Sequence, residues 1–244
     1  WFNEIGNALI NFGLKRSPVD PAFYSINRGG HTLSVSTHVD DLIVTSSDEN
    51  LKSSLKAELE KQFKDLSTQA GSKIKYLGME IHISQNRLTF TQNELIEKII
   101  EKWKLASLKN VSKVTTEIHA IYRSLTMSVL YLATRARPDL LFNASMLASY
   151  CSNPTIADVK RLHRLIRYIE NTKDYKKTID NPSLTYLYVF SDAAWNSHPD
   201  GKGHSGYSIF IGDSTATIAA KSVKQKIITP AAAHAELEAL SISA

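Results

Sequence analysis

The stretch LSVSTHVDDLIVTSS, residues 33–47, sets two adjacent carboxylates, Asp40 and Asp41, between two runs that read as β-strand. An aspartate pair is ordinarily a solvated turn or an Asx-type cap. Here an apolar strand precedes the pair and the almost wholly apolar LIVT follows it. The pattern therefore predicts that at least one carboxylate is held at the edge of a buried sheet, where desolvation is costly unless a cation compensates. A divalent metal is the natural compensator, because hard cations take carboxylate oxygens and keep positions open for substrate phosphates. Two such ions can clamp the attacking and leaving oxygens of a phosphoryl transfer. The expected geometry is a β-hairpin with Asp40 and Asp41 on its tight turn, in a small antiparallel sheet, with a hairpin over 74–91 packed beside it.

Upstream, residues 1–10 carry a helical pattern through Trp1, Phe2, Ile5, Leu9 and Ile10. GLKRSPVDP (13–21) is rich in turn formers, and RGG (28–30) marks a hairpin between AFYSIN and the strand that leads to the aspartates. Downstream, Leu51, Leu55, Leu59 and Phe63 recur at four-residue spacing behind serine and aspartate capping candidates, which is one face of a helix. KIKYLGMEIHISQNRLTFT reads as a hairpin turning at Gln85-Asn86, and Thr91 with Glu94 reads as a capping box for the helix that follows. The first hundred residues thus read helix, hairpin, helix, hairpin, helix.

From Tyr122 to about Lys177 the pattern is mostly helical, with breaks at Pro138 and at Asn153-Pro154. The segment 155–171 is amphipathic: Val159, Leu162, Leu165, Ile166 and Ile169 share one face, and Lys160, Arg164 and Arg167 share the other. Such a cationic face is either solvated or a stripe for a phosphate backbone, since cations three and four residues apart can follow one strand and release its counterions. Strand signals return in 184–192, 205–212 and 215–221, and a helix is expected from about Ala231.

Composition sets loose bounds on this pattern. With 244 residues, 43% of them hydrophobic and 22% charged, the chain reads as an ordinary globular protein of one large domain or two to three smaller ones. No apolar run approaches the ~20 residues of a membrane span, and the first residues have no secretory pattern, so an intracellular, non-membrane setting is expected, in cytoplasm or nucleus. One cysteine, Cys151, excludes an internal disulfide framework and a cysteine-clustered zinc site. A net charge of +5 and a pI near 9.1 lift a nucleic-acid reading only slightly.

HVDDLIVTS resembles the YVDD hairpin of reverse transcriptases, and the order of the motifs after it resembles the copia-type (Pseudoviridae-like) retrotransposon polymerase with tethered ribonuclease H. YLGMEI (76–81) is similar to the primer-grip hairpin, with Tyr76 and Gly78 as nucleic-acid contacts. YRSLTMSVLYLATRARPDL (122–140) and LHRLIRYIENTKD (162–174) are similar to the thumb and connection helices. SDAAW (191–195), GHSGY (203–207), KSVKQ (221–225) and AELEAL (235–240) are similar to the start of the ribonuclease H. The resemblance implies an α+β chain: a partial palm over 1–91, a helical thumb and connection over 92–180, and the N-terminal part of a ribonuclease H-like α/β domain over 181–244.

The same resemblance assigns catalytic and metal-ligand roles to Asp40, Asp41, Asp192 and Glu236, and duplex contacts to Lys160, Arg164 and Arg167. Its cofactor is Mg²⁺ or Mn²⁺, and its partners are an RNA/DNA template-primer duplex, further polyprotein segments or a second copy. His38 stands where the family has tyrosine, and His234 where it has glutamate. The family also uses a palm aspartate upstream and a nuclease aspartate downstream of these residues, so a chain truncated at both ends, binding magnesium weakly or not at all and inactive alone, is expected. The alternatives are a decayed or domesticated nucleic-acid-binding module and a remnant kept for protein contacts.

Overall fold

The computed structural model describes residues 1–64, 66–106, 108, 111–180, 186–212 and 216–243. Among them are seven α-helices and three antiparallel sheets, distributed over two units, Trp1–Gln69 and Ala70–Ala244.

In the first unit, helix α1 (Phe2–Phe12) leads into a sheet ordered β1 (Lys15–Arg16), β2 (Phe23–Arg28), β3 (His31–His38), β4 (Asp41–Ser46), and helix α2 (Glu49–Gln62) follows. The turn between β2 and β3 is Gly29-Gly30, both at positive φ, which only glycine adopts without steric cost. Leu33 and Val35 alternate toward a core that also takes Ile5, Leu9, Tyr24, Leu51, Leu55 and Leu59. Asp48 caps α2, its carboxylate accepting the amides of Asn50 and Leu51. The α1 face is narrower than its spacing predicts. Ile5, Ala8 and Leu9 are buried, whereas Trp1, Phe2 and Ile10 stand outside the core.

In the second unit, β5 (Lys73–Tyr76), β6 (Met79–Ser84) and β7 (Arg87–Thr91) form a meander, and β8 (Lys177–Asp180) pairs with β7 from almost ninety residues away. The turn at Gln85-Asn86 is as expected. Strand β8, which carries no expectation in the sequence, follows the mostly helical stretch that ends near Lys177: chain 177–180 is extended and the Arg87 guanidinium holds the Asp180 carboxylate at 2.7 Å. Helices α3 (Asn93–Leu105), α4 (Thr116–Arg135), α5 (Leu141–Ser149) and α6 (Ile156–Asn171) share one core through Ile99, Tyr122, Val129, Leu140, Leu162 and Ile166. The capping box expected at Thr91 and Glu94 does not form. Gln92, not Thr91, is the N-cap and makes no side-chain cap bond, so Glu94 falls at the second helical position and pairs with the Lys75 ammonium instead. A capping box sits instead at Thr155 and Asp158, at the start of α6.

Strands β9 (Leu187–Ala194), β10 (His204–Ile211) and β11 (Ala219–Lys224) form the third sheet, in the order β11-β10-β9, and helix α7 (Ala232–Ser243) packs on it. Leu184, Thr185 and Thr215, the leading residues of two expected strands, lie outside the described residues, as does Asn181 at the start of the third expected segment. No helix among the described residues is long and apolar enough to cross a membrane.

Candidate nucleic-acid interface and acidic sites

Strand β3 pairs with β4 down to His38 opposite Asp41, so Val39 and Asp40 make the two-residue turn and Asp41 is the last paired rung. The expected hairpin is present. Both carboxylates are exposed, however, which corrects the expectation of a carboxylate desolvated at a sheet edge. Pleating explains this. Cross-strand partners share a face, so Asp41 lies with His38 on the side away from buried Leu33, Val35 and Thr37, and Asp40 projects beyond the pairing. His38 is also exposed and so is no core packing residue. Val39 holds φ near 51°, an unfavourable region for a β-branched residue, and its carbonyl accepts the Trp1 indole N–H. Trp1 in turn sits edge-on to Phe63, with centroids 5.1 Å apart.

The YLGMEI hairpin turns at Leu77-Gly78, both at positive φ. Its ties to two helices are not legible in the sequence: the Tyr131 hydroxyl of α4 donates to the Leu77 carbonyl at 2.7 Å, and the Gln92 amide at the N-cap of α3 donates to the Gly78 carbonyl at 3.4 Å. Tyr76 is partly buried and faces Met79 across the turn, while Gly78 is exposed. Tyr131→Phe should therefore leave the fold intact and cost about 1 kcal/mol locally. Hydrogen exchange should show faster exchange at residues 77–79 and an unchanged rate in the α4 core.

Helix α6 presents Lys160, Arg164 and Arg167 to solvent on the side opposite Val159, Leu162, Leu165, Ile166 and Ile169, as its spacing predicts. Arg161 pairs with Asp158 at 3.1 Å, but among the described residues no ion pair involves Lys160, Arg164 or Arg167. At the C-terminal end of α6 the buried Arg137 guanidinium grips Asp139 with two nitrogens, at 2.9 and 2.8 Å, and donates to the backbone and hydroxyl oxygens of Thr172. Tyr168 and Tyr175 stack on its planar group. The RPDL segment is thereby a fastening between the end of α4 and the end of α6.

Asp192 lies in β9 opposite Gly206 and is exposed in a cleft of about 640 Å³ lined also by Asp139, Phe142, His204, Lys221 and Ser222. Ser205 points to the other face. There the buried Gln225 amide donates both to its hydroxyl and to the Ala235 carbonyl of α7. Glu236, half-buried at the start of α7, does not line the Asp192 cleft. GHSGY, KSVKQ and AELEAL thus meet at one glutamine, and a Cβ at Gly203 would stand 2.2 Å from its Oε1. His234 is exposed on the first turn of α7.

The acidic residues do not gather into a full ligand set. Among the described residues no three His, Cys, Asp or Glu side chains converge as metal ligands. Mg²⁺ demands near-octahedral oxygen ligation. Two exposed aspartates of one turn supply part of that, and a single cleft aspartate less. Neither place fits a magnesium site by itself.

Residues 1–118 match the family described as reverse transcriptase (RNA-dependent DNA polymerase). Over 99% of its length the chain is 27% identical to the retrovirus-related Pol polyprotein from transposon RE2 of Arabidopsis thaliana, and it spans 17% of that protein. It is 25% identical to the putative transposon Ty5-1 protein of Saccharomyces cerevisiae, with 94% of this chain and 79% of that protein covered. An uncharacterized mitochondrial protein of Arabidopsis thaliana is 25% identical across 85% of the chain and 90% of its own length. The chain is thus similar to reverse transcriptase over residues 1–118, just under half of its length, and to a retrotransposon Pol polyprotein over nearly all of it.

Proposed function

We propose that this chain is the portion of a retrotransposon RNA-directed DNA polymerase and ribonuclease H that engages the template-primer duplex, and that it contributes acidic residues to chemistry it does not complete alone. The observation that carries the reading is the outer face of α6. Lys160, Arg164 and Arg167 are exposed and engage no ion pair among the described residues. From Lys160 to Arg167 the helix advances about 10 Å, enough for the three cations to follow successive phosphates of one strand. The helix is held rigidly by its capping box and by Arg137 at its far end. The face is therefore a fixed charge pattern rather than a mobile tail.

In this reading Asp40 and Asp41 belong to the polymerase centre, and Asp192 and Glu236 to the nuclease. When complete, such centres use divalent ions to stabilise the attacking and leaving oxygens. The residues of this chain orient and bind: the 76–79 turn, fixed by Tyr131, and α6 hold nucleic acid, and the Asp40 turn presents carboxylates to solvent. A decayed or domesticated binding module is the second reading, and it would keep the same cationic face without the chemistry.

Replacing Lys160, Arg164 and Arg167 together with alanine tests the proposal in a duplex-binding titration at several salt concentrations. Affinity should fall about equally across sequences, and the salt slope should become shallower by roughly one unit for each phosphate no longer neutralised. Unchanged affinity and slope would return this face to the role of a solvated surface.

A further inference from the structure

Beyond the nucleic-acid face, the second unit contains a buried polar chain that the proposed function does not use. His198 and His204 are both buried, and the Nε2 of His198 lies 3.0 Å from the Nδ1 of His204. The Nε2 of His204 lies 2.7 Å from the Ser222 hydroxyl. The ring centroids are 5.3 Å apart with planes inclined by 26°, which at that nitrogen separation lays the imidazoles end to end with the two nitrogens facing one another across a single hydrogen bond. This is the geometry of one shared proton, not of two nitrogens converging on a metal ion. With both rings neutral, one tautomer satisfies every contact: His198 donates to His204, and His204 donates to Ser222.

The chain joins three pieces of structure. His198 closes a turn, its amide donating to the Lys202 carbonyl and its own carbonyl accepting from Gly201. His204 begins β10 and Ser222 lies in β11. The Phe142 ring of α5 packs edge-on against His204, with centroids 5.2 Å apart.

Every surrounding element bears on the charge of the pair. From β11 come the Ser222 dipole and Lys224, the latter ion-paired with Asp200 of the turn at 2.7 Å. Strand β9 places apolar Ala194 opposite His204, with Asp192 one rung further along the same face. Helix α5 offers only an aromatic edge, and Lys221 and Asp139 line the cleft beyond. Burial foremost, and then the neighbouring His198, push His204 down to about 4. Burial and then Lys224 also lower His198, against an opposing pull from Asp200.

We propose that His198, His204 and Ser222 form an acid-sensitive latch, which holds the 195–203 turn and the start of β10 against β11 and Phe142 while both imidazoles are neutral, and releases them when both take protons. One added proton can still be shared along the chain by a tautomer change. A second sets two cations 3.0 Å apart with no lone pair between them. The sign follows from the direction of the shifts. The closed form resists protonation and the open form does not, so the latch is at full strength above the ordinary histidine range and weakens as pH falls from there toward about 4. The wall of the Asp192 cleft that His204 and Ser222 supply loosens with it.

Hydrogen exchange on the whole chain, corrected for intrinsic rates, tests this between pH 7.5 and 4.5. Protection of residues 198–206 and 220–224 should fall on the order of fifty-fold, while α4 keeps its protection. His198→Gln with His204→Gln should remove that pH dependence. Imidazole titration by NMR on the unmodified protein gives an independent reading should the double variant fold poorly, and the two rings should titrate below the ordinary histidine range. Either result overturns the latch: equal pH dependence in the double variant, or buried rings that titrate in the ordinary histidine range while protection stays constant.

Discussion

Residues 1–244, incubated with primed RNA or DNA template and either Mg²⁺ or Mn²⁺, should extend no primer, and Asp40→Asn should change nothing in that assay. The physical reason is the ligand count at the hairpin. Asp40 and Asp41 share one turn and point into solvent, and no third acidic or histidine side chain among the described residues converges on them. Two adjacent carboxylates cannot position two ions at the ~4 Å separation that in-line phosphoryl transfer requires. In a longer protein that supplies a further carboxylate and does polymerise, the same substitution becomes decisive. Asp40→Asn should then lower kcat by about a thousandfold or more, a loss of roughly 4 kcal/mol in transition-state stabilisation, with little change in duplex affinity. Primer extension with paired binding measurements separates the two quantities. Robust extension by residues 1–244 that Asp40→Asn abolishes would show that these residues complete the acidic set themselves.

How far the sequence discloses such a site depends on whether the signal is local. The Asp40 hairpin was legible because two apolar runs flank a two-residue turn, a pattern that short-range sterics decide. The α6 stripe was legible because helical periodicity sorts cations from apolar residues without reference to anything distant. Exposure of the aspartates is not legible in the flanking residues. It depends on which face of the pleat each residue takes, and that is set by pairing register with β3 rather than by composition of the flanks. Strand β8 was missed for a related reason: four residues after a helix carry little periodic signal, and their conformation is imposed by pairing with β7. The Thr91-Glu94 pattern fits a capping box locally, but the helix starts one residue later, after Gln92, and the glutamate pairs with Lys75 of β5. Long-range interactions overrode local grammar in each of these cases.

Much of what reads as functional motif proves to be fastening. Gln225 links the glycine of GHSGY, Ser205 and the first turn of α7, and Tyr131 ties the YLGMEI turn to α4. Trp195 of SDAAW donates its indole N–H to the Thr229 carbonyl at 2.8 Å. These residues hold elements in place, so their substitution should be read first in stability.

Arg137→Ala is the sharpest case and should destabilise the second unit by about 3 kcal/mol or more. The side chain is 2% exposed, so its removal leaves the Asp139 carboxylate without its bidentate partner and Thr172 without two donors at the C-terminal end of α6. Two stacking faces, on Tyr168 and Tyr175, are lost as well. For a unit of this size the loss should appear as a drop of roughly 6–12 °C in melting temperature. Lysine at this position restores the charge but neither the planar fork nor the stacking, so Arg137→Lys should recover less than half of the loss. If the interaction is a coupled network, Arg137→Ala combined with Asp139→Asn should cost less than the two single losses added, because the carboxylate stranded by the first change is neutral in the second. Thermal melts of the four proteins decide it. A strictly additive pair, or an Arg137→Ala protein that melts with the parent, would mean that α6 is held by its apolar face alone, and that the cationic stripe does not depend on Arg137 for its orientation.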